Sequence, residues 1–224
     1  MHPSAFENGR LFFETYLRSG DAFTVLDIGA QDVNGSLRQL APAHGHYVGV
    51  DFAPGRGVDV VLDDPYRLPF ADHSIDAVVS SSCFEHVEMF WLTFNEVLRV
   101  LKPEGLFYLN APSNGDFHRY PVDCWRFYPD AGAALVRWGQ RSGYSPVLLE
   151  SFTAYQQLDV WSDFVAVFLK DEARASQHPH RMIDRVDRYM NGRRHGEEGI
   201  LCPQDHPEDG ARLRRLTGHP KGLG

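Results

Sequence analysis

The stretch Val25-Leu26-Asp27-Ile28-Gly29-Ala30-Gln31-Asp32-Val33-Asn34-Gly35-Ser36 constrains the fold more than any other part of the chain. Apolar residues flank one acid and run into a glycine, and a turn-rich loop then leads to Ser36, a residue type that caps helix N-termini. This order reads as the first strand of an α/β sheet opening into a ligand loop. Glycine lets backbone come close to a ligand, and the following helix offers unpaired N–H groups. The same order also describes an ordinary strand-to-helix turn. About one βα unit later, His46-Tyr47-Val48-Gly49-Val50-Asp51 repeats the strand pattern and ends on an acid. An acid at that place accepts two hydroxyls of a ribose. A dinucleotide loop needs glycine at three fixed places, and Gln31 and Asn34 stand at the second and third. A pyrophosphate is therefore poorly cradled, and the loop suits an adenosine without a diphosphate.

The rest of the chain fits the same architecture. Residues 5–18 suit an amphipathic helix with Phe12, Phe13, Tyr16 and Leu17 near one face. The helix after the first strand is expected to be short, because Pro42 stops it. Residues 58–62 predict a third strand followed by Asp63-Asp64, and residues 75–80 a fourth. Phe90, Phe94, Val97, Leu98 and Leu101 recur at helical spacing; Pro103 and Gly105 end that helix before a fifth strand over 105–110. Asp130 is placed to cap a helix running to Gly143, and 147–151 and 164–169 read as the last two strands. Strands alternating with helices call for a doubly wound, mostly parallel sheet with helices on both faces. Ligands then sit outside the carboxyl ends of the strands, so Ser80-Ser81-Ser82-Cys83-Phe84-Glu85-His86 emerges into the site.

Past Lys170 the character changes. Ile183, Val186 and Met190 fit one face of a short helix, and beyond Gly192 glycine, proline and charge dominate. The expected division is a domain over 1–170, with its N-terminal helix in 1–20, and a polar, partly flexible extension over 171–224. Cutting the chain after Gly192 is expected to cost little stability.

At 224 residues the chain suits one domain with a sizeable core, and its formal charge of −8 argues against a sequence-independent grip on nucleic acid. Cys83, Cys124 and Cys202 lack metal-ligand spacing and fit reduced thiols in a cytoplasm, and the histidines of the extension form no recognisable zinc pattern. No metal is expected. No stretch reads as a signal peptide or a membrane span, so a soluble cytoplasmic protein is expected, with a homodimer an open option.

Together, Leu26-Asp27-Ile28-Gly29, Val50-Asp51, Asp64-Pro65-Tyr66-Arg67-Leu68-Pro69-Phe70, Ser74-Ile75-Asp76-Ala77-Val78-Val79, Glu85-His86 and Leu101-Lys102-Pro103-Glu104-Gly105 resemble, in that order, the class I S-adenosylmethionine-dependent methyltransferases. The resemblance covers about residues 22–170. It departs in the first loop, where the usual Gly-x-Gly-x-Gly is Gly29-Ala30-Gln31-Asp32-Val33 and the form Asp-Val-Asn-Gly-Ser takes its place. It implies a Rossmann-like, seven-stranded sheet whose last two strands pair antiparallel, and an N-terminal helix that caps the cofactor, although that helix equally suits packing on the sheet edge. The cofactor-binding set it implies is Asp27, Gly29, Gln31, Asn34, Asp51, Phe52, Asp64, Pro65 and Ser81, with Asp64 and Pro65 meeting the adenine.

Methyl transfer from a sulfonium expels a neutral thioether, so catalysis rests on alignment and, for a hydroxyl acceptor, on removing a proton. His86 stands where a base belongs, with an ordinary pKa of about 6.5, although it equally suits a bond to Glu85. His118 competes for that role. The segment Asp116-Phe117-His118-Arg119-Tyr120-Pro121-Val122-Asp123-Cys124-Trp125-Arg126-Phe127 is aromatic, charged and broken by proline. It reads either as a wall, with Tyr120, Trp125 and Arg126 framing a polar small-molecule acceptor, or as a loop packed over the sheet. The leading expectation is O-methylation in glycan or natural-product biosynthesis. A cofactor-binding module without transfer is the alternative, and a nicotinamide oxidoreductase is disfavoured by the missing glycines.

Overall fold

The computed structural model describes residues 2–17, 22–155 and 161–204, and Leu216. Strands β1 (Thr24–Ile28), β2 (His46–Asp51), β3 (Val60–Val61), β4 (Ile75–Ser81), β5 (Leu101–Pro112), β6 (Val147–Ala154), β7 (Asp163–Leu169) and β8 (Tyr189–Arg194) form one sheet. Its order is β3-β2-β1-β4-β5-β7-β6-β8. Strands β1 to β5 run parallel, whereas β7 pairs antiparallel with β5 and β6, and β8 antiparallel with β6. The chain winds outward from β1 in one direction, then returns to lay β4 on its other side. The loops leaving β1 and β4 therefore diverge and open a crevice above them.

The central strands are apolar on both faces because both faces are covered. Along β5, Leu106 and Tyr108 pack with Phe12 and Phe13 of α1 (Pro3–Tyr16), while Phe107 and Leu109 pack on the opposite face. That opposite face receives Phe94, Val97 and Leu98 of α2 (Phe90–Val100) and Leu135 of α3 (Ala131–Arg141). The alternation follows from successive strand side chains pointing to opposite sides. After β1 the expected short helix is a single 3-10 turn, Leu37–Gln39, whose entry is held by Ser36 Oγ accepting the Arg38 N–H at 3.2 Å.

The C-terminal part departs from expectation. Ile183 and Met190 do not share a helix: Met182–Asp184 is a 3-10 turn, and Met190 lies buried in the added eighth strand. The segment after Lys170 is thus packed on the domain through residue 204, with Gly192 bridged to Leu201 and the Asn191 side chain bonded to both the N–H and the carbonyl of Gln204. Because β8 continues past Gly192 and Arg193 pairs with Asp130, a cut at Gly192 removes sheet structure. The Asp130 carboxylate accepts from Arg193 and makes no bond to the start of α3. The remainder of the expected extension apart from Leu216, and residues 1 and 18–20 of the N-terminal segment, lie outside the described residues.

Buried Glu150 fastens this segment to the body. Its carboxylate accepts the Tyr16 hydroxyl at 2.5 Å and the N–H groups of Met182 and Ile183, each at 2.8 Å. Burial pushes the carboxyl above its usual range while these donors oppose that shift. Glu150→Ala strands three donors and is expected to cost about 3 kcal/mol or more in urea denaturation; Tyr16→Phe removes one donor and costs about 1 kcal/mol.

Candidate functional site

A cavity of about 690 Å³ opens at the carboxyl ends of β1, β2 and β4. Its floor is the turn after β1. Gly29 has φ +80°, and a Cβ there would lie 2.5 Å from the Cys83 side chain, so only glycine lets the two loops touch. Asp32 organises the remainder of this loop, accepting the Gly35 N–H at 2.8 Å and pairing with Arg56 at 2.9 Å. Asp27 is buried beneath the loop; the Tyr47 hydroxyl donates to it at 2.7 Å, and burial pushes its carboxyl up to about 6.

Asp51 ends β2 with its two carboxylate oxygens aimed by backbone donors, the Gln31 N–H at 3.3 Å and the Ala53 N–H at 3.2 Å. It lines the cavity together with Asp27, Gly29, Gln31 and Asn34. Phe52, Pro65 and Ser81 also line it, and the buried Ser81 hydroxyl has no hydrogen-bond partner among the described residues. Asp64 does not reach the cavity. Its carboxylate turns back to accept the Tyr66 N–H at 2.8 Å, and Asp63 faces the cavity in its place. Two adjacent acids after a short strand point opposite ways, and the sequence alone does not say which points inward.

The opposite wall brings His86, His118 and Tyr120 together from segments distant in the chain. His86 Nδ1 lies 2.5 Å from the Val122 carbonyl oxygen, which requires a proton on Nδ1 and leaves Nε2 as the free acceptor. Burial holds the His86 pKa below its ordinary value. The His118 ring stands edge-on to His86, with centroids 4.9 Å apart, and Tyr120 donates to Gln31 Oε1 at 3.4 Å. Trp161, in the approach to β7, also lines the cavity, its ring 4.9 Å from that of His118.

Trp125 and Arg126, expected in the wall, lie behind it. The Trp125 Nε1–H donates to the Val87 carbonyl at 3.0 Å, and its ring packs on Phe90 and Trp91. Arg126 grips buried Asp123 through both oxygens, at 2.6 and 2.9 Å, and donates to the Asp116 and Trp125 carbonyls. Both terminal nitrogens of the guanidinium are engaged inside the segment, while its buried Nε has no partner among the described residues. That pairing holds the Asp123 carboxyl down to about 2, and Asp123 Oδ2 in turn accepts the His118 N–H at 2.7 Å. Arg126 thus supports the His118 backbone through Asp123, and Trp125 ties the segment to Val87 and α2.

In the sequence Glu85 stands out only as a neighbour of His86. In the structure it is 1% exposed, its Oε2 has no hydrogen-bond partner among the described residues, and burial pushes its carboxyl up to about 8. The Cys124 and Trp125 N–H groups hold its backbone carbonyl, at 2.7 and 3.2 Å. Arg126→Ala leaves Asp123 buried without its counter-ion and is expected to lower the thermal midpoint by about 5 °C, a loss of about 2 kcal/mol, as read by differential scanning fluorimetry.

Residues 18–109 match the family described as a methyltransferase domain. An uncharacterized methyltransferase of Mycobacterium sp. (strain KMS) is 51% identical over 134 residues, which are 55% of this chain and 52% of that protein. Another, of Mycolicibacterium gilvum, is 37% identical over 139 residues, again 55% of this chain and 52% of the relative. The chain spans about half the length, or less, of the curated relatives it matches. Among solved structures, the Burkholderia thailandensis 1,6-didemethyltoxoflavin-N1-methyltransferase, with bound S-adenosylhomocysteine, superposes with a TM-score of 0.57 at 16% identity, over 75% of this chain and 79% of that one. Residues 18–109 thus carry a methyltransferase domain, and the sheet that reverses at β1 and β4 above the glycine turn has the Rossmann-like fold of the class I methyltransferases, whose cofactor is S-adenosylmethionine.

Proposed function

We propose that the chain transfers the methyl group of S-adenosylmethionine to a hydroxyl of a small molecule, a glycan or natural product. The observation that carries this reading is one cavity with an adenosine-type wall at Asp51 and a histidine wall at His86 and His118. S-adenosylmethionine supplies an electrophilic methyl carbon on a sulfonium. The residues suit it: Asp51 presents both oxygens for the ribose hydroxyls, Gly29 permits close approach, and buried Ser81 Oγ lacks a partner among the described residues.

On the other wall, His86 Nε2 and His118 are the groups that can take up the hydroxyl proton as the acceptor oxygen reaches the methyl carbon. Tyr120, Trp161 and Phe52 offer aromatic faces, which suit a sugar ring or a planar natural product. Asp123 and Arg126 contribute by position, fixing the backbone at His118.

Asp51→Ala removes charge-assisted bonds worth about 1.5–3 kcal/mol each. It is expected to weaken S-adenosylmethionine binding tenfold or more by calorimetry while the protein stays folded. Transfer of labelled methyl groups into a panel of hydroxylated sugars and phenols tests the reaction. His86→Ala is expected to reduce that turnover at least tenfold with cofactor affinity unchanged. Cofactor binding without any labelled product would favour a binding module instead.

A further inference from the structure

We propose that Glu85, His86 and His118 bind one divalent transition-metal ion, of the zinc, cobalt or manganese type, on the acceptor side of the cavity. One carboxylate oxygen of Glu85 and one ring nitrogen from each histidine lie within 4.8 Å of one another. The His86 Nε2 to Glu85 Oε1 distance is 3.7 Å. Ligand atoms around a tetrahedral ion sit about 3.4 Å apart, so side-chain shifts of about an ångström close the site.

Two further observations point to a cation. The first is the unpartnered Oε2 of Glu85, a carboxylate oxygen sealed from solvent. A buried carboxylate is costly without a partner, and two imidazoles stand beside this carboxylate, His86 on the side of Oε1. The second is the arrangement behind the rings. His86 Nδ1 sits on the Val122 carbonyl, and His118 Nδ1 lies 3.2 Å from the Asp116 carbonyl and 3.4 Å from Asp123 Oδ2. Metal-binding histidines carry this kind of outer support, which fixes the tautomer and turns the other nitrogen toward the ion.

The donor set of two imidazoles and one carboxylate selects a borderline transition metal over magnesium or calcium, which prefer oxygen ligands. Three protein ligands leave an open position, and His86 and His118 face the cavity. A hydroxyl bound there is acidified as metal-bound water is. Its proton leaves to solvent, the oxygen forms the new bond to the methyl carbon, and the electron pair of the breaking C–S bond stays on sulfur. The imidazoles then serve as ligands, and the ion takes over the deprotonation. This step rests on the proposed hydroxyl methylation, whereas the metal site itself does not.

The test uses the full chain, stripped with a chelator and titrated with Co²⁺ while visible absorption is followed, with S-adenosylhomocysteine calorimetry run on the same samples. The expected result is one Co²⁺ per chain with a d–d band, and affinity reduced at least tenfold in both Glu85→Gln and His118→Gln. The His118 side chain is 41% exposed, so His118→Gln keeps the test valid if Glu85→Gln fails to fold. Absence of Co²⁺ binding, or equal affinity in wild type and His118→Gln, overturns the metal site. If S-adenosylhomocysteine still binds in that case, the cofactor site of the proposed function stands without the metal; Co²⁺ binding without S-adenosylhomocysteine binding would support the metal site and sink the transfer reading.

Discussion

The divergence of the loops leaving β1 and β4 is the constraint on which the rest depends. The two strands pair in parallel from Val25 with Ala77 to Asp27 with Val79, and the Ser80 hydroxyl donates to the Ile28 carbonyl at 2.9 Å just below the point of separation. Above it the chains part, one toward Gly29 and the other toward Cys83, and the glycine is what lets them stay in contact as they do so. Everything with chemical character then gathers on one rim, because each parallel strand ends on the same side. Asp51 arrives from β2, Glu85 and His86 from the exit of β4, and His118 from the exit of β5.

Three buried carboxylates illustrate how differently a fold can satisfy the same group. Asp27 shares its charge with one phenol. Glu150 receives a phenol and two backbone N–H groups, so its burial serves as an attachment point between helix, sheet and C-terminal segment. Glu85 keeps one oxygen without a protein partner among the described residues, although its backbone is firmly held. Stability explains the first two arrangements. The third is a cost to the fold, and such costs gather at sites of function.

Features written in short-range periodicity were legible in the sequence. The strands from β1 to β7 and helix α2 follow from apolar alternation, helical spacing and the Pro and Gly residues that bound them. The glycine turn and the acid ending β2 were legible because backbone geometry demands those residue types. What escaped depended on contacts across the chain. Asp63 and Asp64 differ only in which way the chain turns after Val61, and Trp125 and Arg126 were drawn away from the cavity by Val87 and Asp123. Glu85 gave no signal of its burial, since His118, its partner across the cluster, lies on another loop. β8 was hidden because its residues from Asn191 to Arg194 carry no apolar alternation, and its pairing exists only once β6 is in place.

β8 also changes what the sheet shows to its surroundings. Without it, β6 would end the sheet with a row of unpaired backbone groups beside Phe152 and Leu149, both buried here. An apolar, unpaired margin of that kind invites a strand from another molecule. With β8 laid over it, the outermost strand carries Arg193 and Arg194, and its Gly192 is already engaged with Leu201. Ion-paired charged side chains and prior pairing make this margin a poor template, so the same short strand that extends the sheet also ends its growth on this side and guards this edge against strand addition.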